Sequence, residues 1–215
     1  MMVGAAALTV EDMERALDWV GQGVARYAER LRELDAATGD GDLGVTMTIG
    51  WNAVREALPS LEHSDAGTLL AQAGMAFNQA AASTFGVLLA TAMMRAGREL
   101  RGTTEIGLCE MIRGLEAALQ GVRERGKAEV GDKTVLDALA PAIVAVKEAQ
   151  AAGRTLGEAV AAAADAAMRG AESTAGKLPR FGRASWLGKR AAQVQDPGAT
   201  AVALMLCSLA EFLRS

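Results

Sequence analysis

The chain has 215 residues, 51% hydrophobic but only 4% aromatic, with 24 glycines, 4 prolines and a formal net charge of −4. It is long enough for one large domain or two small ones, and an apolar content built on alanine, leucine and valine favours closely packed helices over an all-β chain. The acidic balance carries no footprint of general nucleic-acid binding, and two cysteines, Cys109 and Cys207, each inside an apolar helical pattern, argue against a disulfide framework or a zinc site.

In chain order, Met1 to Leu8 is apolar but short and lacks a basic start, so it does not read as a signal peptide. No uninterrupted apolar run reaches membrane-spanning length, and a cytoplasmic protein is expected. Thr9 and Asp12 form a cap-like helix start. Val10, Met13, Leu17, Val20, Val24, Tyr27 and Leu31 then repeat at spacings of three and four. Glu33 to Gly44 breaks that stripe, and Val45, Ile49, Ala53 and Ala57 predict a second helix ending near Pro59. Ser64 is placed to cap a third helix through about Ala81, and a fourth runs from Gly86 to about Leu100, before Gly102. Thr104 starts a fifth, with Ile106, Cys109, Ile112, Leu115 and Leu119 on one side. After a loop from Gly126 to Gly131, Asp132 or Thr134 begins a sixth helix past Pro141, which requires a kink or an early first turn. Thr155 caps a seventh, whose alanine-rich stretch Ala159 to Met168 is interrupted by Asp165 and reads as a packed helix of a soluble protein.

From Ala175 to Gln195 the pattern stops. Lys177, Arg180, Arg183, Lys189 and Arg190 occur without a single acid, among glycines, over a stretch too long for a routine helix connection. The segment 175–197 reads as a lid. Asp196-Pro197-Gly198 then opens a last helix. With no repeat, no linker and no convincing period-two strand, one all-α domain of about eight helices spanning 1–215 is the expected fold.

The chemistry concentrates in Thr38-Gly39-Asp40-Gly41-Asp42-Leu43-Gly44-Val45 with Asp35 just upstream. Three carboxylates share one glycine-rich bend, and no Lys or Arg lies between Glu33 and Val54. Crowded anions repel, and a hard divalent cation with oxygen ligands is the usual resolution. The glycines permit close backbone approach to a ligand. Taken alone, Asp40-Gly41-Asp42 also fits a helix cap with solvated acids, and Lys177 to Arg190 a plain surface loop. His63, the single histidine, sits beside Ser64 and Asp65, but adjacent residues do not converge as a triad, so it reads as a loop residue. The cysteines and the ten methionines read as core filling. For Trp186, clamping the lid and packing are both open.

Leu34-Asp35-x3-Gly39-Asp40-Gly41-Asp42-x-Gly44, then Gly131-Asp132-Lys133-Thr134, Gly182-Arg183-Ala184-Ser185-Trp186-Leu187-Gly188 and Gln195-Asp196-Pro197-Gly198-Ala199-Thr200 follow one another in the order of a known family. The sequence closely resembles the nucleotide-binding, DhaL-type subunit of dihydroxyacetone kinase over nearly its full length. The resemblance implies an antiparallel helical barrel with ATP or ADP at one end. It also implies two Mg²⁺ ions held by Asp35, Asp40 and Asp42, which bridge nucleotide phosphates during phosphoryl transfer. By position it assigns phosphate contacts to the turn Leu43, Gly44, Val45 and Thr46 and to Thr84 and Phe85. Gly126 and Val135 fall beside the base, Arg183 in the lid, and Asp196, Pro197 and Gly198 in the closing segment.

Two departures stand out: Leu43 and Thr46 replace a frequent histidine and asparagine, and Ala82-Ser83-Thr84-Phe85 replaces Gly-Gly-Ala-Ser, while the aspartates are intact. The resemblance further implies a partner subunit of DhaK type that holds dihydroxyacetone or a related small ketose. In one branch of the family a phosphotransferase-system subunit rephosphorylates bound ADP, and in another ATP exchanges. The branch, the ketose and a homodimer all remain open. A non-catalytic nucleotide- or lipid-binding helical module that regulates a partner is the alternative.

Overall fold

The computed structural model describes residues 6–215, so the reading of the leader at positions 1–5 lies outside the described residues. Helix α1 (Val10–Ala25) starts with a full capping box: Thr9 accepts from the Asp12 N–H, and the Asp12 carboxylate accepts from the Thr9 N–H. The apolar stripe predicted to run on through Leu31 is cut at Tyr27 (φ −107°, ψ 10°), and α2 (Ala28–Thr38) leaves in a new direction with Leu31 fully buried. Neither Arg26 nor Tyr27 is a helix breaker, and α2 packs on α3 and α11.

Then follow α3 (Leu43–Ala57), a 3-10 turn (Leu58–Ser60) at Pro59, α4 (Ala66–Ala80), α5 (Thr84–Glu99) and α6 (Leu108–Gly126). The cap of α4 is Asp65 rather than Ser64; its carboxylate accepts from the Thr68 N–H at 2.8 Å. Ahead of α6, Glu105–Ile106 (β2) pairs antiparallel with Leu8–Thr9 (β1), a two-residue ladder too short to leave a period in the sequence. Helix α7 (Leu136–Ala151) runs through Pro141. Proline has no N–H for the Asp137 carbonyl four residues back. Gly170 of α8 (Leu156–Glu172) approaches that same carbonyl, which a Cβ there would meet at 2.1 Å. Two short helices, α9 (Ala184–Leu187) and α10 (Lys189–Ala192), lie in the basic segment, and α11 (Pro197–Arg214) ends the chain.

Helices α1, α3, α4, α5, α6, α7, α8 and α11 each pack on the next, and α11 closes back on α1. The result is an eight-helix ring, with α2 laid against α3 and α11 outside it. Short connections make sequential neighbours antiparallel. Alanines bring α7, α8 and α11 close together: Ala138, Ala142, Ala159, Ala163, Ala199 and Ala203 are all buried. Inside the ring an apolar cavity of about 260 Å³ is lined by Leu17, Trp51, Met93, Val146, Val160 and Leu206 among others.

Within Lys189–Arg214, 18 consecutive residues are, by length and composition, apolar enough to cross a membrane (mean hydropathy 1.3), although charged and polar residues interrupt the stretch. Of those 18 residues 56% are buried inside the molecule, where α11 packs on both α1 and α8. Cys207 is half-buried, but Cys109 is exposed on α6 and accepts from Gln150 Nε2 at 3.0 Å, not a core side chain as its position in the stripe predicted.

Candidate functional site

In an antiparallel ring, alternate connections fall at the same end. The loop from α2 to α3, the turn from α4 to α5, the loop from α6 to α7 and the long return from α8 to α11 line one cleft of about 500 Å³. The starts of α3, α5, α7 and α11 therefore all border it. Each helix start carries unpaired N–H groups and roughly half a positive charge, a setting for anions.

The acids occupy the α2–α3 corner. Asp35 sits in the last turn of α2, and its Oδ2 accepts the Leu43 N–H at 3.1 Å, spanning the loop. Gly41 takes φ +76°, a left-handed turn suited to glycine. Asp42 stands at the N-cap of α3, yet its carboxylate makes no cap hydrogen bond. One oxygen each of Asp35, Asp40 and Asp42 can be chosen so that all lie within 4.8 Å of one another. A set of hard carboxylate oxygens at this spacing suits a divalent cation such as Mg²⁺. Positive charge also comes from far along the chain: Arg183 Nη1 of the lid pairs with Asp40 Oδ2.

Opposite the acids, Ser83 caps α5 by accepting the Gly86 N–H at 3.0 Å, and Thr84 and Phe85 face the cleft. Asp196 caps α11 by accepting the Ala199 N–H at 2.7 Å and donates its own N–H to Thr174 Oγ1 at 2.7 Å. Burial pushes its carboxyl up to about 7, against the Ala199 N–H and the nearby Lys133 ammonium, which hold it down. Past Thr84, Leu88, Val135 and Phe181, which border both spaces, the cleft continues into an adjoining recess of about 490 Å³ containing Gly126, Arg125 and Ala128. The whole is elongated, acidic at one end and largely apolar at the other.

Asp35, Asp40, Asp42, Leu43, Thr84, Phe85, Val135, Arg183, Asp196, Pro197 and Gly198 thus line one cleft, and Gly126 its extension. Gly44, Val45 and Thr46 do not line it with side chains. Gly44 lets α3 close on α2, since a Cβ there would sit 2.1 Å from the Ala28 carbonyl oxygen; Thr46 is buried and Val45 points outward. The Leu43 N–H is taken by Asp35 and the Thr46 N–H by the Asp42 carbonyl at 2.9 Å, so the helix-entry donors not so engaged are those of Gly44 and Val45. Sequence reasoning gave no site role to Thr38, Lys133, Thr134 or Phe181, which also line the cleft. For Lys133 and Thr134 the signal was present, in the Gly131-to-Thr134 motif. Trp186 is 86% exposed, so it is not a core ring.

Fold and site together define a closed helical ring with an acid-lined cleft at the end where four helices begin. A family model described as the DAK2 domain matches residues 37–211, beginning just after Asp35, and the chain belongs to that family. The ADP-binding subunit DhaL of the PEP-dependent dihydroxyacetone kinase of Escherichia coli (strain K12) is 35% identical over 183 residues, 85% of this chain and 87% of the relative. A D-erythrulose kinase of Mycolicibacterium smegmatis is 35% identical over 199 residues, 92% of this chain, but the match takes up only 34% of that larger protein. The dihydroxyacetone kinase from C. freundii, solved with AMP-PNP and Mg²⁺, superposes with a TM-score of 0.71 at 28% identity, covering 92% of this chain and 33% of that one. The DhaL-type resemblance and the all-α fold are thereby borne out.

Proposed function

We propose that this chain is the nucleotide-binding component of a ketose kinase. On this reading residues 1–215 act as one domain that holds Mg-ATP or Mg-ADP under the 175–197 lid. It passes a phosphoryl group to dihydroxyacetone or a related small ketose bound by a partner subunit. The observation that carries the proposal is the convergence of Asp35, Asp40 and Asp42 within 4.8 Å, at the acidic end of a cleft bordered by four helix starts.

In this proposal the three carboxylates hold magnesium, two ions as in the resemblance. Bound there, the metal neutralises phosphate charge. The N–H groups of Gly44 and Val45 and the start of α5 at Thr84 and Phe85 receive phosphate oxygens, Asp196, Pro197 and Gly198 close the site, and the recess beyond Val135 and Gly126 takes the base. Arg183 exchanges Asp40 for a phosphate once metal occupies the carboxylates. Phosphoryl transfer asks mainly for such positioning and charge neutralisation, so no nucleophile from this chain is needed. Relatives include an ADP-binding subunit of a PEP-dependent kinase as well as erythrulose kinases of which this chain spans about a third. The names of these relatives support a three- or four-carbon ketose, and the subunit name of the first supports a kinase of more than one chain; the proposal adds that a separate partner holds the ketose and that the complex is cytoplasmic. A phosphotransferase-system donor that recharges bound ADP belongs to the same proposal.

The apolar cavity inside the ring favours one competitor, a non-catalytic nucleotide- or lipid-binding module that regulates a partner. Reconstitution with a ketose-holding subunit separates the two. Asp40→Asn is expected to lower ketose phosphorylation at least about a hundred-fold while the helical fold persists, as for loss of a metal ligand in phosphoryl transfer. Absence of ketose phosphorylation with the wild-type chain points instead to the non-catalytic module, and full turnover by the variant overturns the role given to Asp40.

A further inference from the structure

Lys133 occupies a position that its own chemistry makes expensive. It is 2% exposed, and its backbone takes φ +62°, in the left-handed region that disfavours any residue with a Cβ. An ammonium is seldom buried without partners, and burial pushes this one below its usual range. All of its proton-donating capacity is spent on backbone: Nζ donates to the carbonyls of Thr174 at 2.9 Å, Val194 at 2.5 Å and Ala192 at 3.4 Å. Thr174 stands where the chain enters the lid and the other two where it leaves. A single side chain thus joins both stems.

The same stems meet directly through the Gly176 N–H, which donates to the Ala192 carbonyl at 2.7 Å, and the Asp196 N–H, which donates to Thr174 Oγ1. Residues flanking Lys133 reach further up the lid. Asp132 accepts from Arg180 Nη1 at 3.0 Å, and Asp137 from Lys177 Nζ at 2.9 Å. In these two pairs Arg180 is exposed and Lys177 half-buried, while both carboxylates are buried. The buried ammonium is different, because removing it takes a charged donor from three carbonyls at once, leaving those of Thr174 and Ala192 only the N–H groups of Lys177 and Gly176.

We infer that Lys133 is a positioning residue: its ammonium clasps the two stems of the lid and so holds Arg183 over the acidic corner of the cleft. The inference rests on the kinase reading above only for its consequence, the tighter grip on nucleotide. Closing a loop at its base removes much of the freedom its tip would otherwise have, and Arg183 lies in the part so restrained.

Lys133→Met tests this, with hydrogen exchange across 174–196 measured in the absence of nucleotide and affinity for Mg-ADP measured separately. Exchange at the lid stems is expected to quicken about ten-fold or more while α7 and α8 keep their protection, and the Mg-ADP dissociation constant is expected to rise by about ten-fold or more. Unchanged exchange in a folded variant overturns the clasp. Faster exchange with unchanged affinity overturns its positioning role. Should the variant not fold, acetylation of the wild-type chain decides: Lys133 is expected to react far more slowly than Lys189, and equal rates overturn the clasp. If the wild-type chain itself binds no Mg-ADP, the kinase reading fails, and the exchange result still judges Lys133.

Discussion

Asp42 begins a helix without capping it. Asp65 and Asp196, at the same station of α4 and α11, each accept an N–H from the first turn, at 2.8 and 2.7 Å. A cap of this kind stabilises a helix by about 1 kcal/mol; Asp42 leaves it unmade, and on the proposed reading its carboxylate serves the metal instead. Asp35 and Asp40 complete that case: one braces the loop through the Leu43 N–H, the other pairs with Arg183. Asp196 makes a separate prediction. Its carboxyl, ordinarily near 3.8, is raised to about 7 in the fold, so between those values the folded chain binds this proton more tightly than the unfolded one. The sign follows: stability contributed at this site falls as pH rises from about 4 to about 7 and is level above. Asp196→Asn keeps an oxygen for the cap and removes the titration. The melting temperature of the variant, relative to the parent without metal, should climb across that window. A difference that stays flat from pH 4 to 8 would contradict the assignment.

Among elements, the glycine of α3 decides how the acidic corner is held. Gly44 brings α3 against the Ala28 carbonyl of α2, which keeps Asp35 within reach of the Leu43 N–H. A methyl there would meet backbone oxygen at 2.1 Å, and backbone cannot swing aside as a side-chain end can. Gly44→Ala should therefore destabilise the chain by about 1–3 kcal/mol, although alanine is the better helix former. Chemical denaturation measures this, and a variant as stable as the parent would show that α2 and α3 separate freely. Helix starts marked by local chemistry were legible: Thr9 and Thr155 each sit in a capping box, and Asp196-Pro197 opens α11. The break at Tyr27 and the β1–β2 pair were not, because partners distant in sequence impose them. Cys109 shows the limit of periodicity, which places a residue on a stripe but does not say how far the stripe's edge is covered.

At the scale of the whole molecule, ring closure turns separate motifs into one site. Residues 35, 84, 135, 183 and 197 are far apart along the chain and meet because α3, α5, α7 and α11 all begin at one end. The sequence carried the acids and the basic lid, and the resemblance placed most of the cleft. What it could not carry was the convergence of four helix starts, or the pairing of Arg183 with Asp40, since both arise only when α11 packs back on α1. On the proposed reading the three acids tolerate one another because divalent metal and polyphosphate complete their cluster. Calorimetric titration of the purified chain with ADP, with and without Mg²⁺, tests it most directly, with Asp42→Ala beside the wild type. Binding that requires Mg²⁺ and is lost in the folded variant is the expected result; binding that is indifferent to Mg²⁺ and to Asp42 would contradict it.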